Sequence, residues 1–158
     1  MIVAISGTPG TGKSRVATLL ADRLGWDLVE LNRLAEEKDL YMGYDEQREC
    51  KVVDIEALAE EVSLLHGNAI VESHYAHDMP ADLIVILRAS PAELRSRLAE
   101  RGWTLEKIEE NVEAELVGVC LGEARDTGRE VLEIDTTDKK PSAVAEEVAR
   151  YLRLKHKN

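Results

Sequence analysis

The sequence predicts a three-layer α/β domain built on a five-stranded parallel sheet. Five short apolar runs alternate with segments of helical periodicity along the 158 residues. One run, Asp82–Leu87, is apolar at five successive positions, as a strand covered on both faces should be. The first run, Met1–Ile5, empties into a glycine-rich turn that opens a helix. The sequence shows no internal repeat, low-complexity tract or linker, and its length fits one domain over 1–158.

The turn reads Gly7-Thr8-Pro9-Gly10-Thr11-Gly12-Lys13-Ser14 between a strand and a helix, the G-x-x-x-x-G-K-[ST] pattern in its required setting. Its chemistry is that of a phosphate-binding loop. Glycine lets the backbone turn sharply and bring N–H groups close to phosphate oxygens. The helix start adds unpaired N–H groups and the positive end of its dipole. Gly7, Gly10 and Gly12 supply the turn, and Arg15 can contribute its N–H from the first turn of the helix. Lys13 would act as a point charge on the β- and γ-phosphates, and Ser14 would offer a hydroxyl ligand to Mg²⁺.

Val16, Leu19, Leu20 and Leu24 continue this helix until Gly25 stops it. Asp27–Leu31 is a second strand, and Asn32 is placed to cap a short helix over Arg33–Lys38. Leu40–Asp45, two tyrosines around a glycine, is too polar for a core strand and reads as a loop. Asp54 caps a helix through Ile55, Leu58, Val62 and Leu65, ended by Gly67. Ala69–Glu72 is the third strand and Asp82–Leu87 the fourth. Ser90-Pro91-Ala92-Glu93 starts the next helix with proline at its first position and an acid completing a capping box. That helix stops at Gly102, and a long helix is expected from about Leu105 to Arg125. Glu130–Asp135 is the fifth strand, and Pro141 to about Leu154 is the closing helix. Two insertions, about 30–53 and about 100–110, stand out as candidate mobile parts of a ligand site.

Twenty basic and 31 acidic residues give a net charge of −11. This argues against a surface that wraps nucleic acid and suits a basic protein partner. Cys50 and Cys120 lack Cys-x-x-Cys spacing and read as buried or partly buried thiols of a reducing cytoplasm. No run approaches the roughly 18 apolar residues of a membrane span.

Glu72 ends an apolar strand where a Mg²⁺-side carboxylate belongs, though a solvated acid would fit the same position. His74 follows it as a polar or proton-handling group near the γ-phosphate, or as a structural histidine. His74 and His77 lack the further ligands that zinc requires. Arg97 and Arg101 share one helical face and read either as phosphate or base ligands or as solvated partners of Glu93 and Glu100. The loop Asp135–Pro141 lies beyond a strand's carboxyl end, where a nucleotide base would be met. The acidic run Glu106–Glu115 reads as a solvated helix face.

Together these residues resemble one family. The phosphate loop, Tyr41-x-Gly43-Tyr44-Asp45-Glu46 with Cys50 and Asp54, and Glu72-x-His74 carry the likeness. So do Leu87-Arg88, Arg97-Leu98-x-x-Arg101-Gly102-Trp103, and Lys107-Ile108-x-x-Asn111 with Glu115. The family is the small adenylate kinase group called isoenzyme six, or coilin-interacting nuclear ATPase, which acts in small ribosomal subunit maturation. The resemblance implies a P-loop NTPase fold of the nucleoside-monophosphate-kinase type with a short lid at about 100–110. It implies ATP + AMP ⇌ 2 ADP with a slower ATPase, Mg²⁺ with ATP, and a basic small-subunit platform ribosomal protein as partner. Nucleic acid would be met only indirectly, through the ribosomal particle. Gly10, Thr11, Gly12, Lys13, Ser14 and Arg15 would hold the phosphates of ATP, with Arg101 reaching it from the lid; Lys13, His74 and Arg101 would be catalytic, and Ser14 and Glu72 would serve the metal. The segment at about 30–53 would take the acceptor, with Arg33 and Tyr44 as candidate AMP contacts. Glu36 stands where some members carry arginine, and Arg33 lies one helical turn back. Two rival readings are a kinase for another small acceptor and an ATP-driven factor that holds and releases a ribosomal protein.

Overall fold

The computed structural model describes all 158 residues. Its central sheet has the order β2(Asp27–Glu30), β5(Ala69–Glu72), β1(Ile2–Ser6), β6(Leu83–Arg88) and β7(Val131–Asp135), every neighbouring pair parallel. The expected five-stranded parallel sheet is therefore present. β1 is central because its residues can be covered on both faces: Val3, Ala4 and Ile5 are wholly buried. Its neighbours on either side are reached by crossing over it, so the turn after Ser6 opens into the crevice beyond the strands' carboxyl ends.

Helices α1(Lys13–Leu24) and α7(Pro141–His156) cover one face, burying Val16, Ala17, Leu20 and Ala21 against Val144, Ala145, Val148 and Ala149. Those spacings of three and four are the apolar stripes of two amphipathic helices. The other face is covered by α2(Leu31–Glu37), α3(Ile55–Ser63), a single 3₁₀ turn at Ala76–Asp78, and α6(Val119–Asp126). A third, smaller core joins α4(Pro91–Glu100) to α5(Leu105–Val117) through Leu94, Leu98, Ile108 and Val112, with Trp103 against it.

Several boundaries depart from the sequence reading, each for a local reason. The stretch read as a loop at Leu40–Asp45 is a strand, β3(Tyr41–Asp45), paired antiparallel with β4(Cys50–Val53) in a separate hairpin. It is polar because Met42, Gly43 and Tyr44 are exposed, so no core pattern marks it. Cys50 starts β4 and is exposed rather than buried. The long helix is two, broken at Gly118, whose left-handed backbone (φ 74°) ends α5 and starts α6. Asn32 does not cap α2, which begins one residue earlier; its side chain instead accepts a 2.6 Å hydrogen bond from Tyr75 Oη. The caps at Asp54 and Ser90 form as expected, accepting from the N–H groups of Ala57 and Glu93. Glu93 does not close its capping box, because its carboxylate is taken by Arg97 Nε at 3.0 Å.

Candidate active site

The site begins at the end of β1. Gly7 has φ 144°, and a Cβ there would stand 2.5 Å from the Leu87 carbonyl oxygen, so the loop can pass β6 only with glycine. Gly10 (φ 92°) packs directly under Leu94 and Leu98 of α4. The loop then closes on one acceptor. The Thr8 carbonyl takes the Thr11 N–H at 3.3 Å, the Thr11 hydroxyl at 2.8 Å and Lys13 Nζ at 3.3 Å. The loop is thus curled around the lysine.

Lys13 is nine-tenths buried, and loss of water pushes its ammonium from 10.5 down to about 8. The Glu72 carboxylate opposes this shift and Arg101 adds to it, but burial wins. Glu72 is buried at the end of β5, alongside Ile5, and burial raises its pKa against the opposing pull of Lys13 and a hydrogen bond from Ser14. The hydroxyl of Ser14 and the carboxylate of Glu72 therefore meet at the mouth of the loop. Two adjoining hard oxygen donors, one of them charged, fit a Mg²⁺ ion.

His74 follows two residues later, exposed along one edge but set in a crowded recess. Burial first, then the charge of Lys13, pushes its imidazole down to about 4, so it is neutral at physiological pH. Its ring meets Tyr75 edge-on, with centroids 4.9 Å apart. His77 is not part of this group. It is buried, with Nδ1 2.7 Å from Ser6 Oγ and Nε2 2.7 Å from Glu123, and so ties the end of β1 to α6.

Two recesses are open at the surface. The first, about 500 Å³, is bounded by the loop, by Arg15, and by Arg97, Arg101, Thr136 and Lys139 from beyond α4 and β7. Arg97 pairs with Glu93, one of the two partners its sequence offered, and also donates to the Gly10 carbonyl at 3.2 Å. Arg101 makes no ion pair with Glu100 or any other carboxylate and lines the recess at the C-terminal end of α4. Thr136, within the loop that the sequence marked beyond the last strand, is buried where β6, the phosphate loop and α4 converge. Its hydroxyl donates to Arg88 O at 2.8 Å and lies 3.3 Å from Arg97. The second recess, about 400 Å³, is lined by Asn32, Glu36, Tyr41, Lys51 and Val53. It is joined through Asn32 to Tyr75, whose ring meets His74. Of the two candidate acceptor contacts, Arg33 is turned to Glu37 at 3.0 Å and Tyr44 is 60% exposed on the hairpin; neither lines this recess.

Two further groups escaped the sequence reading. Glu115, read as part of a solvated face, is buried and takes Arg88 Nε, while Arg88 also donates to the Glu115 carbonyl at 2.7 Å. This fastens α5 to the end of β6 directly before the Gly118 break. At the other end, Arg48 at the hairpin turn pairs with Glu110 of α5 at 3.2 Å, so the two insertions touch.

The comparisons with known proteins agree with this geometry. A family model described as an AAA domain, AAA_18, matches residues 3–118. A Pyrococcus abyssi protein named "Putative adenylate kinase" is 44% identical over 148 residues, covering 94% of this chain and 82% of its own. The chain belongs to this family of P-loop nucleotide kinases. Relatives of the same name occur in Thermococcus kodakarensis, 42% identical over 97% of this chain and 86% of theirs, and in Methanosarcina mazei, 39% identical over 88% and 80%. The fold is that of shikimate kinase from Acinetobacter baumannii, with TM-score 0.70, 12% identity, and 98% and 93% of the two chains covered. The YorR protein of Bacillus subtilis, solved with phosphorylated GDP, is equally near at TM-score 0.70, 15% identity, and 100% and 99% coverage.

A kinase of this family with its lysine held near 8 has a testable pH dependence. Phosphate binds the ammonium form, so affinity is full below about 8 and falls as pH rises through it. ADP titrated calorimetrically in EDTA should bind several-fold more weakly at pH 9.5 than at pH 7, with proton uptake on binding at the higher pH. A flat profile would show that Lys13 is not the group that titrates.

Proposed function

We propose that the protein is an adenylate kinase, transferring the γ-phosphoryl group of ATP to AMP to give two ADP. The observation that carries this reading is that a second recess, lined wholly by the segment at about 30–53, stands apart from the one beside the phosphate loop and shares no residue with it. A hydrolase needs a single nucleotide site; a transfer between two nucleotides needs one on each side of the migrating group.

In this reading Gly10 to Arg15 hold the phosphates of ATP, with the base towards Thr136 and Pro141. Phosphoryl transfer asks the protein for positioning and charge neutralisation more than covalent chemistry. Lys13 must leave the Thr8 carbonyl for the γ-phosphate, exchanging a neutral acceptor for a charged one. Arg101, free of any carboxylate, supplies the second charge from the lid at about 100–110. Ser14 and Glu72 would hold Mg²⁺, which when bound with ATP neutralises phosphate charge. The segment at about 30–53 receives AMP, and the contact between Arg48 and Glu110 supports a closure of that segment onto the lid helix that excludes water. Neutral His74 can accept a hydrogen bond from a water that enters in place of AMP, which supports an accompanying slower ATPase.

The protein is proposed to work in the cytoplasm, on small ribosomal subunit maturation, bound to a basic platform ribosomal protein. The net charge of −11 supports such a partner. No helix is long and apolar enough to cross a membrane.

The test is an ADP-forming assay with each nucleoside monophosphate in turn, beside ATP alone, with and without a purified platform ribosomal protein. AMP should multiply ADP formation well above the ATP-only rate. If no monophosphate does so, while the ribosomal protein stimulates phosphate release, the chain is an ATP-driven assembly factor instead.

A further inference from the structure

The second recess holds two opposite charges that do not meet. Lys51 and Glu36 both line it, yet neither makes an ion pair with the other or with any other residue. The remaining cations of this segment are engaged: Arg33 with Glu37 at 3.0 Å, Lys38 with Glu61 at 2.7 Å and Arg48 with Glu110 at 3.2 Å. Lys51 instead has its ammonium 4.8 Å from the centroid of the Tyr41 ring, an apolar support that positions the charge without neutralising it. The register of the hairpin fixes this arrangement. Tyr41 stands opposite Val53, and a shift before Gly43 sets Lys51 opposite Tyr44 rather than Gly43. Lys51 therefore reaches diagonally back over the Tyr41 ring, and both line the recess with Asn32.

We infer that Lys51 is the cation that holds the acceptor's phosphate, and that Glu36 across the recess accepts a hydrogen bond from a hydroxyl or amino group of the same molecule. The inference rests on the kinase reading above and names how this chain's own residues serve it. A phosphate dianion beside an uncompensated ammonium gains a charge-assisted hydrogen bond. Glu36 would repel that dianion if it bound at the carboxylate's end, so the two charges also fix which way round the acceptor lies. The chemistry selects an acceptor with an anionic group at one end and a hydrogen-bond donor at the other, as a nucleoside monophosphate has. A plain sugar or a dicarboxylate meets only one of the two demands.

The experiment compares wild type with Lys51→Met, Lys51→Arg and Glu36→Gln, using AMP kinetics at saturating ATP and calorimetric titration of AMP and of adenosine. Methionine keeps the unbranched stem over Tyr41 and removes the charge. Lys51→Met should raise the AMP KM and Kd by at least about tenfold, leave the ATP KM unchanged and leave adenosine binding unchanged. Lys51→Arg should restore most of the AMP affinity. Glu36→Gln should weaken adenosine and AMP alike. A collapse of the recess would weaken adenosine with Lys51→Met too, which separates a structural role from phosphate binding. If wild type phosphorylates AMP and Lys51→Met has the same AMP KM, the inference is overturned and the kinase reading stands. If wild type turns over no monophosphate, the kinase reading falls, and Lys51 is then judged by the AMP titration, where equal or absent binding overturns it too.

Discussion

Lys13→Met is expected to remove both phosphoryl transfer to AMP and ATP hydrolysis while leaving the protein at least as stable as wild type. Both reactions pass through the same developing charge on the γ-phosphate. Loss of one such contact costs about 3 kcal/mol or more, at least roughly a hundredfold in turnover. Stability should move the other way. An ammonium held at about 8 against an ordinary 10.5 is disfavoured in the folded state. The sign follows from linkage: the cost is fully present below pH 8, fades between 8 and 10.5, and is absent above. At neutral pH it amounts to about 3 kcal/mol. Urea unfolding at pH 7 should therefore give Lys13→Met a midpoint no lower than wild type, the difference shrinking by pH 10. Full turnover in the variant would remove Lys13 from the chemistry. Loss of turnover together with a clearly lower midpoint would show that the lysine stabilises the fold rather than straining it.

The second large effect is expected at Gly7. Gly7→Ala places a methyl 2.5 Å from the Leu87 carbonyl oxygen, in a backbone conformation (φ 144°) that L residues rarely adopt. Neither obstacle can be relieved by a side-chain rotation, because the opposing atom is backbone of the central sheet. Strain of this kind costs about 1–3 kcal/mol, and the overlap adds a comparable amount. The loop should respond by pulling away from β6, which also moves its N–H groups off the phosphate. Thermal melting and ATP titration should both register the change, with a lower Tm and at least about tenfold weaker binding. Gly12→Ala is the informative control: it has a positive φ of 88° but nothing within 4 Å of the added methyl. It should therefore show the strain without the overlap. Equal effects at both positions would mean that the Leu87 contact has no separate weight.

Much of this molecule was legible in the order of its residues. The strand–loop–helix setting of Gly7–Ser14, the buried run at Leu83–Leu87, and the caps at Asp54 and Ser90 depend on contacts within a few positions of the chain. Such interactions leave their mark as periodicity and spacing, so the number and type of the sheet's strands followed. The hairpin did not, because its strands are exposed and β pairing without burial imposes no alternation. The break at Gly118 was marked by a glycine, but apolar periodicity runs through it.

What the sequence alone determined is which groups can handle phosphate: a loop of donors, a lysine and a hydroxyl at fixed spacing. What only the tertiary structure decided is which of the remaining charges are free to act. Arg33 is taken by Glu37, Glu115 is drawn inward by Arg88, and Arg97 divides itself between Glu93 and the loop. Arg101 and Lys51 are left without partners at two recesses. A charged side chain's availability is set by whichever opposite charge folding brings within a few ångströms, and by how much water burial removes. Neither quantity is written in the spacing of residues along the chain.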